Sequence, residues 1–293
     1  MNAMKTFFGR TECEKCNQSY DSEMASCPSC HTPSRDNAVH GYKDITVIPF
    51  FRQIALFLMG WIGFQVIALI VSRIDFRMAL VNNPTWGETE LSEYASSLAH
   101  VGPVHFIAYT VLFLALVLIT WDGWKKNLRS FLAIKNVLTG VVSFVIIFAA
   151  SMLYSVILSA ILNATGGGYE QNGNENAVEA IVVAYPLLSF LIFGIVGPIC
   201  EELTYRVGLF SFCARFGKIA AYLASVIVFA LIHFDFESFG NAEALLIELY
   251  NLPSYLIAGI GLSLAYHKGG FSASFIAHAI NNMISVALTL GSH

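Results

Sequence analysis

Seven stretches of about 20 mostly apolar residues run through this chain of 293 residues, and they restrict its fold more tightly than any other feature. At 1.5 Å per residue a helix of that length crosses a hydrocarbon core of about 30 Å. The expected spans are 53–73, 103–121, 137–162, 180–204, 219–237, 248–266 and 271–290. Composition agrees: 12% of the residues are charged and the mean hydropathy is +0.64, whereas an average soluble domain is roughly 25% charged. The fold expected is therefore an all-α polytopic membrane protein of about seven transmembrane helices, with a small N-terminal zinc ribbon for the reasons below. A net charge of −4 gives no footing for nucleic acid.

Charge is more informative loop by loop. Lys125, Lys126, Arg129 and Lys135 face the single acid Asp122 between the second and third spans, and Arg215 and Lys218 lie between the fourth and fifth. Basic loops stay in the cytoplasm. Loop 163–179 carries Glu170, Glu175 and Glu179 without a base, and loop 238–247 only Glu243, so these are expected outside. The resulting topology is a cell-membrane, multi-pass chain with its N-terminus cytoplasmic and its C-terminus outside. The Gly-rich part of loop 163–179 is expected to be flexible and without function.

The first 45 residues are polar and hold four of the six cysteines: Cys13, Cys16, Cys27 and Cys30, as two C-x2-C pairs. Two such knuckles let four thiolates meet tetrahedrally on one structural Zn2+, whose binding supplies folding energy that so small a head cannot obtain from burial. The competing arrangement is two disulfides, which a reducing cytosol disfavours. Such a site has no open coordination position, so its task is interaction, with a cytosolic protein as the partner expected. These 45 residues lack the basic-then-apolar pattern of a cleavable signal peptide, so the head is not expected to be exported. The divisions expected are 1–45 for the zinc-ribbon head and linker, 46–134 for the N-terminal transmembrane helices and 135–293 for a further intramembrane domain.

Polar residues interrupt the later apolar runs in three places. The fourth continues into Glu201, Glu202 and Arg206; the fifth holds Phe229 and His233; the seventh holds His278 and Asn282. A carboxylate in hydrocarbon costs at least about 2.5 kcal/mol, so an intramembrane acid pair points to function. Glu202 and Arg206 are one helical turn apart and suit an ion pair, while Glu201 points about 100° away and is free for another partner. His278 and Asn282 also share a face. Acid, histidine and amide together can hold and deprotonate a water and stabilise the oxyanion it forms on a carbonyl. For these groups to meet, the fourth span must slide to about 186–212, with a kink at Pro198. Taken singly, the acids and Arg206 also read as a charged helix end at the lipid headgroups, each histidine as a satisfied interhelical hydrogen bond, and Phe229 as a core or lipid-facing ring.

The three motifs, E-E-x-x-x-R at 201–206, F-x-x-x-H at 229–233 and H-x-x-x-N at 278–282, resemble in kind and order those of the CPBP family of intramembrane proteases, the CAAX-prenyl-protease and bacteriocin-processing (Abi) family. The resemblance covers roughly 135–290. It implies that Glu201 is the general base, supported by Glu202 and Arg206, that His233 and His278 bind a catalytic metal (Zn2+ or another divalent ion) or orient the water, and that Asn282 donates to the oxyanion. The activity so implied is that of a hydrolase, a CPBP-type intramembrane (metallo)endopeptidase acting on a membrane-associated peptide or protein among membrane lipids. The competing reading is a non-catalytic bacteriocin-immunity or membrane binding protein. Transport by a carboxylate relay is a third, against which no inverted repeat of broken helices is visible.

Overall fold

The computed structural model describes residues 10–13, 15–21, 27–30, 50–121, 123–124, 131 and 133–293. The loop bases Lys125, Lys126 and Arg129, and Asp122, lie outside that set. Among the described residues the regular structure is all-α apart from a hairpin in the head, β1 (Arg10–Glu12) and β2 (Ser19–Asp21), paired antiparallel. The helices are α1 (Phe51–Asn82), α2 (Glu88–Ser96), α3 (Leu98–Ile119), α4 (Ile134–Ala164), α5 (Gly173–Ala184), α6 (Pro186–Phe216), α7 (Lys218–Leu231) and α8 (Ala242–Ser292).

Five of these, α1, α3, α4, α6 and α8, are long and apolar enough to cross a membrane, and the protein is a multi-pass membrane protein. The difference from seven has two physical causes. Helix α7 has 14 residues, about 21 Å of rise, too short to span by itself. Helix α8 has 51 residues, and its only non-helical backbone is at Gly270, with φ 70. That conformation is open to glycine because it has no Cβ. The stretches on either side of Gly270 correspond to the sixth and seventh apolar runs.

The fourth run also divides differently from expectation. Helix α5 stops at Tyr185 (φ −134, ψ 62), because Pro186 offers no N–H and pushes the residue before it out of helical backbone. Helix α6 then continues to Phe216, which carries Glu201 and Glu202 to mid-helix. Nor is all of 163–179 loop. Asn172, 1% exposed, accepts the Glu175 N–H and starts α5 at Gly173.

Small residues let the helices approach closely, as association in lipid requires. A Cβ on Gly60 of α1 would lie 1.7 Å from Thr204 Oγ1 of α6, and one on Gly261 of α8 would lie 2.2 Å from Ile147 of α4. Leu56, Leu112, Leu203 and Phe210 fill the core between α1, α3 and α6. Val142, Ile146 and Leu153 of α4 are exposed and suit contact with lipid tails.

Candidate active site and cysteine cluster

Helix α6 is unevenly wound where the acids sit. A π-helical stretch, Glu202–Phe210, follows Glu201; such widened turns recur at functional sites. Glu202 and Arg206 are wholly buried, with Nη1 3.2 Å from Oε1. The approach is close but poorly aligned, and among the described residues the guanidinium nitrogens find no well-directed hydrogen-bond acceptor. Instead the Arg206 guanidinium lies over the Phe229 ring, 4.3 Å from its centroid. That ring also neighbours His233 and His278, with centroids 5.0 and 5.9 Å away.

Both nitrogens of His278, on α8, face the acid pair. Nδ1 is 2.9 Å from Glu202 Oε1 and Nε2 is 3.7 Å from Glu201 Oε2. A carboxylate already facing Arg206 accepts from Nδ1–H, which turns Nε2 toward Glu201. Arg206, Glu202, His278 and Glu201 thus form one polar chain from the protein interior to a cavity. That cavity has a volume of about 1690 Å³, and Glu201, His233, Asn282, Tyr109, Thr204 and Tyr255 line it. The Glu201 side chain is 17% exposed, against 0% for Glu202.

His233 follows the end of α7. Its Nδ1–H donates to the Phe229 carbonyl at 2.8 Å and its ring stacks on Tyr255 at 4.5 Å, which leaves Nε2 without a proton for the cavity side. Its own carbonyl accepts from Asn172 Nδ2, which also reaches Glu248. Asn172 therefore ties the start of α5 to the end of α7 and to α8. Asn282 donates one amide N–H to the Phe193 carbonyl at 3.0 Å, and the amide carries a second donor. The hydrogen-bond partner of Asn282 is thus on α6 and is not His278, one turn away.

The structure thus brings Glu201, Glu202, Arg206 and His278 into contact, and places His233 and Asn282 on the same cavity as Glu201. Glu201, His233 and His278 are not gathered into a common metal-ligating group, since among the described residues that holds only for the four cysteines. Sequence reasoning missed Tyr109, Tyr255 and Asn172, and gave Phe229 no role of its own. Tyr109 lies beside Glu201. Single tyrosines in apolar helices carry no signal, whereas an arginine that must be buried does imply an unnamed partner.

In the head, Asn17 takes a left-handed turn (φ 56), and its N–H returns to the Cys13 carbonyl at 2.8 Å. The turn brings Cys13 and Cys16 together below the hairpin. All six cysteines are free, and the ligand sulfurs of Cys13, Cys16, Cys27 and Cys30 lie within 4.8 Å of one another. A tetrahedral site with bonds of about 2.3 Å needs sulfurs about 3.8 Å apart, so the cluster fits a metal ion such as zinc.

Residues 183–284 match the model of a family described as type II CAAX prenyl endopeptidase Rce1-like. All six intramembrane candidates fall inside that segment. The chain is 28% identical over 150 residues to an uncharacterized protein of Mycoplasma capricolum, covering 50% of this chain and 41% of the relative. It is 30% identical over 152 residues to the membrane-embedded CAAX protease MroQ of Staphylococcus aureus, covering 49% and 56%. It is 28% identical over 180 residues to the UPF0177 protein YaiH of Lactococcus lactis, covering 59% and 66%. The chain thus spans 41% to 66% of the length of these relatives. No solved structure matches.

Proposed function

We propose that this chain, whose segment 183–284 belongs to the Rce1-like CAAX prenyl endopeptidase family, is an intramembrane endopeptidase acting on a membrane-associated peptide or protein. The observation that carries the reading is a partly exposed Glu201 carboxylate on a large cavity, backed at 3.7 Å by His278. Glu201 takes a proton from a water, and the hydroxide attacks the carbonyl carbon of the scissile peptide. The proton then passes to the leaving amine as the tetrahedral intermediate collapses. Glu202 and Arg206 hold the His278 ring so that Nε2 faces Glu201, and His233, with Nε2 free, orients the water. The second amide N–H of Asn282 donates to the oxyanion; loss of such a donor costs about 2.7–4 kcal/mol, roughly 100- to 1000-fold in rate. A catalytic metal is not needed for any of these steps.

The same reading places the division between head, N-terminal helices and protease domain at 1–45, 46–134 and 135–293, gives the cysteine cluster a structural zinc, and keeps the head in the cytoplasm. The deciding experiment is proteolysis of a peptide library by the purified protein, with Glu201→Gln as control. That change keeps the shape and removes the base. If cleavage persists in the variant, the activity belongs to a contaminant or another site; if wild type cleaves nothing, a binding or immunity role takes its place.

A further inference from the structure

A histidine that orients a water needs its ring plane fixed as well as its position, and the end of α7 supplies only part of that. The helix stops at Leu231, and His233 follows in a turn. Its Nδ1–H donates to the Phe229 carbonyl at 2.8 Å, but a single hydrogen bond is an axis about which a ring can still swing. The Tyr255 ring removes that freedom. It lies 4.5 Å from the imidazole with an interplanar angle of 16°, whereas the Phe229 ring meets the imidazole at 55°.

Tyr255, on α8, is itself held from its far end. Its hydroxyl accepts from Asn174 Nδ2 at 3.3 Å and shares its own proton between Asn172 Oδ1 at 3.4 Å and Glu175 Oε1 at 3.5 Å. The three stand at the start of α5. Asn172 in turn has each polar atom of its side chain engaged: Oδ1 takes the Glu175 N–H at 2.9 Å, and Nδ2 donates to the His233 carbonyl at 3.3 Å and to Glu248 Oε2 at 3.2 Å. Glu248 and Asn251 of α8 are buried, and neither has a part in the proposed hydrolysis. Asn251 takes the Tyr169 hydroxyl at 2.8 Å and donates to the Glu170 carbonyl at 3.1 Å. These bonds close a frame in which the start of α5, the first turns of α8 and the turn after α7 hold one another. The Tyr255 hydroxyl is committed to that frame, which leaves its ring as the part that acts on the site.

We propose that Tyr255 is the positioning residue of His233: its ring sets the imidazole plane and thereby the direction of Nε2. This rests on the endopeptidase reading, in which His233 orients the water. Productive geometry tolerates about 10–20°, and a misplacement of about 1 Å costs roughly 100-fold in rate. The effect therefore falls on kcat and not on substrate binding.

The test compares wild type, Tyr255→Phe and Tyr255→Leu as full chains in lipid nanodiscs, with Tyr255→Met in place of the leucine variant if that one does not fold. Nitrogen-15 magnetic resonance of labelled histidine reads the ring directly, the His233 lines being those lost in His233→Gln. Wild type and Tyr255→Phe should show one sharp pair, Nδ1 protonated and Nε2 bare; without the aromatic ring the pair should broaden or split as the two tautomers mix. In peptide cleavage Tyr255→Phe should keep kcat within about threefold and Tyr255→Leu should lose about 100-fold, with KM within about twofold in both. Unchanged His233 lines in the leucine variant, a loss confined to KM, or an equal fall of kcat in the two variants would overturn the inference, the last because the hydroxyl would then be the group in use. Lines that change as expected in a protein whose wild type cleaves nothing would support the positioning and sink the endopeptidase reading instead.

Discussion

Replacing Phe229 by leucine tests how the buried guanidinium is held. Phe229 is 3% exposed, and Arg206 lies 4.3 Å over its ring while finding no well-directed hydrogen-bond acceptor among the described residues. A desolvated cation–π contact contributes about 2 kcal/mol. A near-isosteric change of a buried ring to leucine costs up to about 1.5 kcal/mol in packing. The sum is about 3 kcal/mol, a fall of roughly 6–12 °C in the unfolding midpoint for a domain of 150–250 residues. Phe210→Leu is the control: that ring is 2% exposed and faces Tyr222 and Tyr266, so it should lose only the packing part. The assay is fluorescence-detected gel filtration after graded heating. Equal midpoints for the two variants would refute the view that Phe229 is the cation's partner. The lost ring should also let Arg206, and through Glu202 the His278 ring, drift, so activity should fall more in Phe229→Leu than in Phe210→Leu.

Elemental analysis should find one zinc per chain, lost in Cys13→Ser/Cys27→Ser and released by mild acid as the thiolates protonate, while gel filtration of the membrane part is unchanged. Gly60→Ala should destabilise by about 1–3 kcal/mol, because the added carbon would sit 1.7 Å from Thr204 Oγ1, and Thr204→Ala in the same chain should recover part of the loss in a heating series. Because burial raises the Glu175 carboxyl, the folded state binds its proton more tightly than the unfolded one. Wild type is therefore penalised as pH rises past the ordinary carboxylate range, so Glu175→Gln should raise the midpoint at neutral pH and leave it unchanged below about pH 4. A cysteine placed at Gly168 should react with an impermeant thiol reagent from outside the cell and one at Lys135 only after permeabilisation; the reverse pattern would invert the proposed topology.

Much of the site was legible because charge is costly in an apolar run. Glu202 and Arg206 could be paired from their spacing alone, and they are in contact. The need to bring Glu201 to the depth of His233 moved the fourth span toward 186–212, and α6 occupies Pro186–Phe216. What stayed hidden depends on tertiary packing. Asn172 reads as one polar residue in a Gly-rich loop, yet it caps α5 and holds the His233 carbonyl. Tyr109 and Tyr255 reach the cavity from α3 and α8, and nothing in their local sequence separates them from lipid-facing tyrosines. The partner chosen by Asn282, a carbonyl on another helix, likewise has no local trace.

The contact of Gly60 with Thr204 sets a boundary on what can be inherited separately. Helix α1 presses its backbone against the very turn that carries the acids, and Tyr109 of α3 lies beside Glu201. Gly60 and Tyr109 lie outside 183–284, the segment that matches the family model, whereas Thr204 and Glu201 lie inside it. The acid–histidine constellation and part of the cavity wall around it therefore come from different stretches of the chain. What the cavity admits can then be altered from outside the matched segment. Chimaeras joined near residue 183 would show which stretch sets the choice.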